Sequence, residues 1–561
     1  MLKKKIITLL RQTLKDLDIS LDDISVDYPA SAQHGDYSTN VALAAAKKAG
    51  KNPMELAEKI VENLGVKNKE LQLFNEIHVA KPGFINFWIA SDSLLDSLNY
   101  SFKHDNEVKD KKIMVEFAHP NTHKAFHIGH LRNITTGESI VRLLEVVGAK
   151  VIRANYQGDV GMHIAKCLYG ILQNPTHKTQ ILKITDVKER VDFLGKAYAS
   201  GSKSFEEDDK AKKEIAEINK KIYAKDSSIW ELYQTTRQWS LDYFDEIYKR
   251  VYTHFDKYYF ESMVYESGKK NVLIGLEKSV FKKSDGAIIF PGSKYGLHDR
   301  VFITSEGNPT YEGKDMGLAP LQFKDYHPDL IIHLVGPEQA GYFQVVFEAL
   351  AQLFPEIKGK ERHQSYGFVN LKHGKMSSRT GNVILGEWLL DEAKKKILES
   401  YDISDEIAEQ VAVGAVKYSF LKVGLNQEIA FDLEESISLQ GNSGPYLQYA
   451  YARTQSILRK GKEESIKGKE NLNLKSEERD VLRLLSRFPE IVEEAATRYA
   501  PNVLCTYLFE LAQAYNLFYQ KFPILKAEDD AKNFRLLLTI KTGNVLKDGL
   551  ELLGIKAPQQ M

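Results

Sequence analysis

The stretch from 113 to 156 constrains the fold more than any other part of the chain. "IMVEFA" is an apolar run of strand length, "HIGHLRN" opens a segment of helical period from about 127 to 147, and "KVIRANY" is a second strand. A strand, a crossover helix and a further strand form a right-handed βαβ unit, so the two strands run parallel in one sheet. Another helix begins near 160, and "DLIIHLVG" and "YGFVNL" read as further buried strands. A parallel sheet is covered by helices on both faces, and ligands collect outside the carboxyl ends of its strands. The turn after the first strand lies at that edge.

The turn reads "AFHIGHLRN" (125–133), with His127 and His130 three apart around Gly129, and His119 and His123 just upstream. In a helix, His119, His123 and His127 would share a face suited to a metal. Pro120 and Asn121 oppose a helix there, no cysteine or nearby acid supplies a third ligand, and the glutamate of H-E-x-x-H is missing. The competing chemistry is phosphate binding. Helix N-terminal amides attract anions, a glycine lets a flat base approach the backbone, and imidazole N–H groups can hold phosphate oxygens as charge develops in a transition state. The plainer alternative is that the histidines cap the helix or fill the core.

At 561 residues the chain exceeds a single core, and about 150 residues per domain gives three or four units. Residues 1–106 read as a small α+β unit. A helix precedes the polar stretch "ASAQHGDYSTN", and a helix pair is broken at "KAGKNPMEL", where Gly50 ends one helix and Asn52-Pro53 starts the next. The strands "EIHVA" and "GFINFWIA" follow, and "KHDNEVKDKK" (103–112) reads as a linker. Residues 107–398 form the α/β unit, with a Lys-rich helical insertion expected over about 175–290. Residues 399–561 are helical in period, joined by the charged connector "RKGKEESIKGKENLNLKSEE". Lys+Arg and Asp+Glu both total 76, so overall charge implies no nucleic acid partner, which would need a local basic surface. Two distant cysteines, Cys167 and Cys505, exclude a disulfide framework or thiolate zinc cluster and fit a reducing compartment. "MLKKKIITLLRQTLKDL" reads as an amphipathic helix rather than a leader, and no run of 18 apolar residues suggests a membrane span. The cytoplasm is the expected location.

A second basic element lies about 250 residues beyond the turn. "LKHGKMSSRTGN" (371–382) sets Lys372, Lys375 and Arg379 among Gly374, Gly381, Ser377 and Ser378. Alone it reads as an exposed basic loop. Paired with the histidine turn, it suits closure on a triphosphate and stabilisation of the departing pyrophosphate.

H-I-G-H followed by a K-M-S loop resembles a class I aminoacyl-tRNA synthetase. "VEFAHPNTHKAFHIGHLRN", "ANYQGDVGMHI", "SDGAIIF", "HLVGPEQAGYF", "KMSSRTGNVI", "FDLEESISLQGNSGPYLQYAYAR" and "LELLGIKAPQQM" resemble the arginyl-tRNA synthetase family in particular. "HGDYSTNVAL", "GKNPMELAEKI" and "PGFINF" resemble that family's extra N-terminal domain. The resemblance implies a Rossmann-type α/β catalytic domain with an insertion, the N-terminal α+β domain before it and an all-α anticodon-binding bundle after it. It further implies arginine, ATP with Mg²⁺ and tRNA(Arg) as substrates, no metal site of the protein's own, and a monomer. By the same resemblance, His127, Gly129, His130, Lys375, Met376, Ser377, Ser378 and Arg379 hold ATP, and His127, His130, Lys124 and Lys375 serve catalysis. Ser378 stands where the class usually has lysine, and Lys124, three residues before His127, is expected to compensate. The ending "APQQM" also departs from the family's usual pattern.

A guanidinium is planar, always charged and carries five donors, so a selective pocket needs carboxylates. Glu116 and Asp315 are the expected pair: a carboxylate in the apolar first strand requires a partner, and the resemblance singles out Asp315, which alone would read as a helix-surface charge. The resemblance adds Tyr311, one helical turn before Asp315, together with Asn121 and Gln339. For tRNA it points to Phe84 and Asn86, to Tyr446, Tyr449 and Arg453, and to Tyr507, Tyr515 and Met561. Tyrosines and arginine stack on unpaired bases and reach phosphates; core packing is the alternative for each aromatic. Two rival functions share parts of the pattern: a small-molecule nucleotidyltransferase, which needs no long helical tail, and a non-catalytic RNA-binding paralogue, which needs no intact histidine and lysine set.

Overall fold

The computed structural model describes the chain except residues 100–101, 103–105, 177–180, 182, 373–378, 381–382 and 462–473; the side chains of 379, 380, 383 and 529 are also outside the description. The N-terminal unit is a three-stranded antiparallel sheet, β1 (Tyr37–Thr39), β2 (Phe74–Ala80) and β3 (Phe84–Ile89), in the order β1-β3-β2. β1 lies in the stretch read as polar loop, too short to show alternation. The helix pair is Val41–Ala49 and Pro53–Leu71, with Gly50 left-handed at φ 61° and the Asn52 side chain accepting the Met54 amide, as the sequence predicts.

β4 (Lys112–Glu116) and β5 (Lys150–Gln157) flank the helix Ile128–Val146, here called the histidine helix. β6 (Lys257–Phe260) follows, and then a separate antiparallel sheet of β7 (Lys282–Ser284), β8 (Ala287–Phe290) and β9 (Arg300–Ile303). β10 (Leu330–Val335) and β11 (Glu361–Ser365) complete the main sheet, which is parallel throughout in the order β11-β10-β4-β5-β6. Strand alternation divides its apolar residues between two cores. Ile113, Val115 and Ile332 join the cluster containing Leu131 and Ile134 of the histidine helix. Met114, Ile152, Ala154 and Ile331 join Tyr259, Val264 and Leu318 on the other face.

Three expectations are corrected. The helical insertion ends at Arg250 rather than near 290: helices Val187–Glu207, Asp209–Tyr223 and Ser227–Arg250 contribute Leu194, Ala211, Ile215, Ile222 and Trp239 to a core shared with the helix Met162–Leu172, after which the chain returns to the main sheet as β6. "YGFVNL" is not a main-sheet strand, because Val369–Leu371 pairs with Ile429–Phe431. The edge strand is the polar β11, "ERHQS". Finally, 398 is too early a boundary. Helices Gly386–Ser400 and Asp405–Leu421 pack on the histidine helix, and buried Arg132 donates to the carbonyls of Phe420 (3.3 Å) and Leu425 (3.0 Å).

The C-terminal helices Gly444–Lys460, Ser476–Thr497, Pro501–Lys521 and Asp529–Leu552 form the bundle. Its last turn is tied to the histidine helix: Ser139 Oγ donates to Leu552 O (3.1 Å) and Arg142 Nη1 to Glu551 O (2.9 Å). Buried Lys417 donates to Val251 O and Gly554 O at 2.7 and 2.6 Å. The N-terminal unit docks on the bundle at buried Glu490, which accepts from Tyr28 Oη (2.7 Å), Tyr37 Oη (3.0 Å) and the Lys3 amide (2.7 Å).

Candidate active site

His127 is the N-cap of the histidine helix, with extended backbone. Its Nδ1 accepts from the amides of Gly129 (3.1 Å) and His130 (3.4 Å), while His130 Nδ1 accepts from the His127 amide (3.2 Å). The rings stack with centroids 3.7 Å apart. An added Cβ on Gly129 would stand 3.0 Å from the His127 ring, so the glycine makes room for the imidazole itself. Two first-turn amides are therefore already satisfied, and the imidazoles take their place as donors toward a ligand. With each Nδ1 accepting, the proton of a neutral ring lies on Nε2. Burial lowers the pKa of His127 and holds that of His130 well below its ordinary value, so both rings are neutral donors at pH 7.

The upstream histidines do not converge with this pair on a metal. His119 and His123 have positive φ (51° and 63°), which excludes a helix across them. His123 turns to Thr236 Oγ1 (2.8 Å), and burial takes its pKa to about 3; His119 lies 3.3 Å from the Tyr156 carbonyl. Among the described residues no group of three His, Cys, Asp or Glu is placed to hold a metal.

Lys124 is exposed beside the turn. Partial burial lowers its pKa, opposed by Glu261, and its charge acts on both His127 and His130. Lys375, Met376, Ser377 and Ser378 fall outside the described residues, and of Arg379 only the backbone is described, paired with Ile384. The far root of that loop is stitched to the turn: His127 bridges Leu385, and the Gly386 amide donates to Phe126 O at 2.9 Å.

Strand register assembles a second, acidic part of the site. Glu116 of β4 stands opposite His333 of β10 and Ala154 of β5. Glu116 is buried; Oε1 lies 3.1 Å from His333 Nδ1, and Oε2 accepts from Gln322 Nε2. His333 Nε2 lies 3.3 Å from Glu361. Burial opposes charge on His333, but Glu116 and Glu361 outweigh it and raise its pKa to about 10. Burial likewise opposes ionisation of Glu116, and His333 reverses the balance, so Glu116 remains a carboxylate. Asp315, in helix Tyr311–Tyr326, accepts from Tyr342 Oη at 2.5 Å through Oδ2. Burial, aided by Glu116 against the Tyr342 bond, raises its pKa to about 7. Glu116 and Asp315, the expected guanidinium pair, thus differ in their partners within the protein. Both Glu116 oxygens are engaged within the protein, whereas the hydrogen bond described for Asp315 falls on Oδ2. Tyr311 is 65% exposed at the first position of its helix. Asn121 Oδ1 rests so close to Gly158 that a Cβ there would clash at 2.1 Å. Gln339, half-buried, ends the short turn Pro337–Gln339.

Two groups escaped the sequence analysis. Buried Asp159 accepts from Arg237 Nε (2.9 Å), the Ser262 amide (2.9 Å) and Ser262 Oγ (2.7 Å), and Lys314 pairs with Glu261 nearby. The position of Asp159, just beyond the end of β5, was the available signal.

In the C-terminal bundle, Arg453 lies over the rings of Tyr449 (4.9 Å) and Tyr519 (5.1 Å). Tyr449, Arg453 and Met561 line one cavity of about 860 Å³ with Arg459, Lys460 and Tyr519. Tyr446 stands beside it, its hydroxyl accepting from Asn516 at 2.9 Å. Three expected contacts are corrected. Tyr507 and Tyr515 are core residues bonded to Leu484 O and Thr539 Oγ1, because tyrosines at helical spacing here face the bundle interior. Asn86 is buried and accepts from Ser38 Oγ at 2.7 Å. Phe84 is 39% exposed and stays available.

A five-stranded parallel sheet with a histidine turn at its carboxyl edge, a basic loop rooted beside that turn and a helical bundle locked to the histidine helix has the architecture of class I tRNA synthetases. The family model of the "tRNA synthetases class I (R), catalytic domain" matches residues 93–433, that of the "Arginyl tRNA synthetase N terminal domain" residues 4–89, and that of the "DALR anticodon binding domain" residues 447–561. The arginine–tRNA ligase of Treponema denticola is 35% identical over 558 residues, 95% of this chain and 94% of that protein; that of Phocaeicola vulgatus is 33% identical over 572 residues, 93% of each. The solved structure of the Thermus thermophilus arginyl-tRNA synthetase superposes with a TM-score of 0.82 at 26% identity, covering 100% of both chains. The chain belongs to the arginyl-tRNA synthetase family.

Proposed function

We propose that this site carries out arginine–tRNA ligation with the residues assigned above. In the first step an arginine carboxylate oxygen attacks the α-phosphorus of ATP, forming arginyl-adenylate as the bond to pyrophosphate breaks. In the second a terminal ribose hydroxyl of tRNA(Arg) attacks the arginyl carbonyl, and AMP leaves. Neither step needs a covalent protein nucleophile; positioning and charge stabilisation suffice. His127 and His130 present neutral Nε2–H donors to phosphate oxygens, and Lys124 adds charge beside them where Ser378 has replaced the loop lysine. Lys375 and Arg379 approach from the loop whose root lies against His127. Mg²⁺ arrives as part of the nucleotide substrate, and no protein ligand is assigned to it.

Asp315 receives the guanidinium, Tyr311 closes the mouth, and Asn121 and Gln339 hold the ammonium and carboxylate end. Glu116 holds His333 charged, leaving Asp315 as the acceptor for the substrate cation. Tyr446, Tyr449, Arg453 and Met561 receive anticodon bases, and Phe84 meets the body of the tRNA. The enzyme works as a cytoplasmic monomer. The observation that supports the reading is that β4 ends at Glu116, whose charge acts on Asp315, and leads directly into the histidine turn. The test is tRNA charging with each of the twenty amino acids. Arginine alone should be attached, and attachment of any other in its place overturns the assignment.

A further inference from the structure

Tyr156 is the penultimate residue of β5. Its register places Ala154 beside Glu116 and Tyr156 beside Tyr259 of β6. Tyr156 therefore shares the face of Glu116, one pleat nearer the carboxyl edge. Its ring rests against the core that contains Met114, Ala154 and Leu318. Its hydroxyl is closed off from solvent and has no hydrogen-bond partner among the described residues. The charges acting on it are those of Asp315, Glu261, Glu116 and Asp159, yet it donates to none of them. His119, whose Nδ1 lies 3.3 Å from the Tyr156 carbonyl, likewise keeps Nε2 closed off and unpartnered. Leaving a buried hydroxyl unpaired is unfavourable, and native proteins seldom do so without a ligand or water to complete it.

We propose that Tyr156 is a specificity-determining residue of the amino-acid pocket, its hydroxyl oxygen accepting an N–H of the guanidinium that Asp315 receives. The proposal rests on arginine being the substrate. A neutral acceptor suits this place better than another acid would, since four carboxylates already act on it. A guanidinium offers donors along several edges in one plane and meets Asp315 with one and Tyr156 with another; the compact ammonium of lysine has no second edge.

The variant Tyr156→Phe removes only the oxygen and can be studied in the full chain. The KM for arginine should rise about 10-fold or more, the scale of one hydrogen bond to a charged group, with kcat and the KM for ATP unchanged. Because the hydroxyl has no partner among the described residues, the melting temperature without substrate should stay level or rise. An unchanged KM for arginine overturns the proposal, and so does a lowered melting temperature, which would mark the hydroxyl as a structural group. Failure of the unmutated chain to charge arginine rejects the substrate assignment instead, so the two readings fail separately.

Discussion

Asp315 keeps its proton up to about pH 7 because burial and Glu116 together outweigh the hydrogen bond from Tyr342. A cationic substrate needs the ionised form, so arginine and the proton compete. As pH falls through 7, the KM for arginine should rise, and calorimetry near pH 7 should show a proton released on binding. The folded-state value lies above the ordinary 3.8, so the contribution of Asp315 to stability is complete below about pH 4 and fades as pH rises toward 7; arginine should restore it. Asp315→Asn should abolish the pH dependence and raise the KM for arginine about 10- to 100-fold, leaving that for ATP nearly fixed. A variant with unaltered arginine kinetics would remove Asp315 from the pocket. Lys124→Ala should lower charging about 100-fold, the scale of one transition-state contact, with arginine binding intact; near-normal turnover would show that Lys124 does not replace the loop lysine. The need of Glu116 for a partner was legible, since a carboxylate in an apolar strand has to be paired. That the partner is His333, 217 residues away, was not, because it depends on β10 lying beside β4.

At the scale of elements, the reciprocal cap of His127 and His130 combines two roles that substitution can separate. Asparagine is a strong N-cap and aspires to the same amide bonds, yet it has no Nε2–H donor in the imidazole position. His127→Asn should keep the melting temperature near that of the unmutated chain while lowering adenylate formation about 100-fold. His127→Ala should in addition lose roughly 1 kcal/mol of capping. Equal melting temperatures for the two variants would mean that the cap contributes little. The histidine helix was legible almost to the residue, because glycine, histidine spacing and flanking apolar strands all agree. β6 and β11 were not. A four-residue strand has too few positions to show a period, and the edge strand "ERHQS" is half-exposed and polar, so neither carries the apolar run of a central strand.

At the scale of the whole molecule, Glu490 fastens the N-terminal unit to the bundle by three donors. Glu490→Gln replaces one acceptor oxygen with an amide that cannot accept. Amide hydrogen exchange should then speed up in residues 2–89 and stay unchanged in the main sheet; uniform protection across both regions would show that apolar packing alone holds the unit in place. The three-part order of the chain was legible from composition and period. The boundary near 398 was not, because the helices that follow it look alike whether they pack on the sheet unit or on one another. The ties from Ser139 to Leu552 and from Arg142 to Glu551 span 413 and 409 residues. They also bear on how such a molecule is born. While a ribosome is still extending the chain, the helix that opens on the histidine turn waits for these partners until residues 551 and 552 have been made.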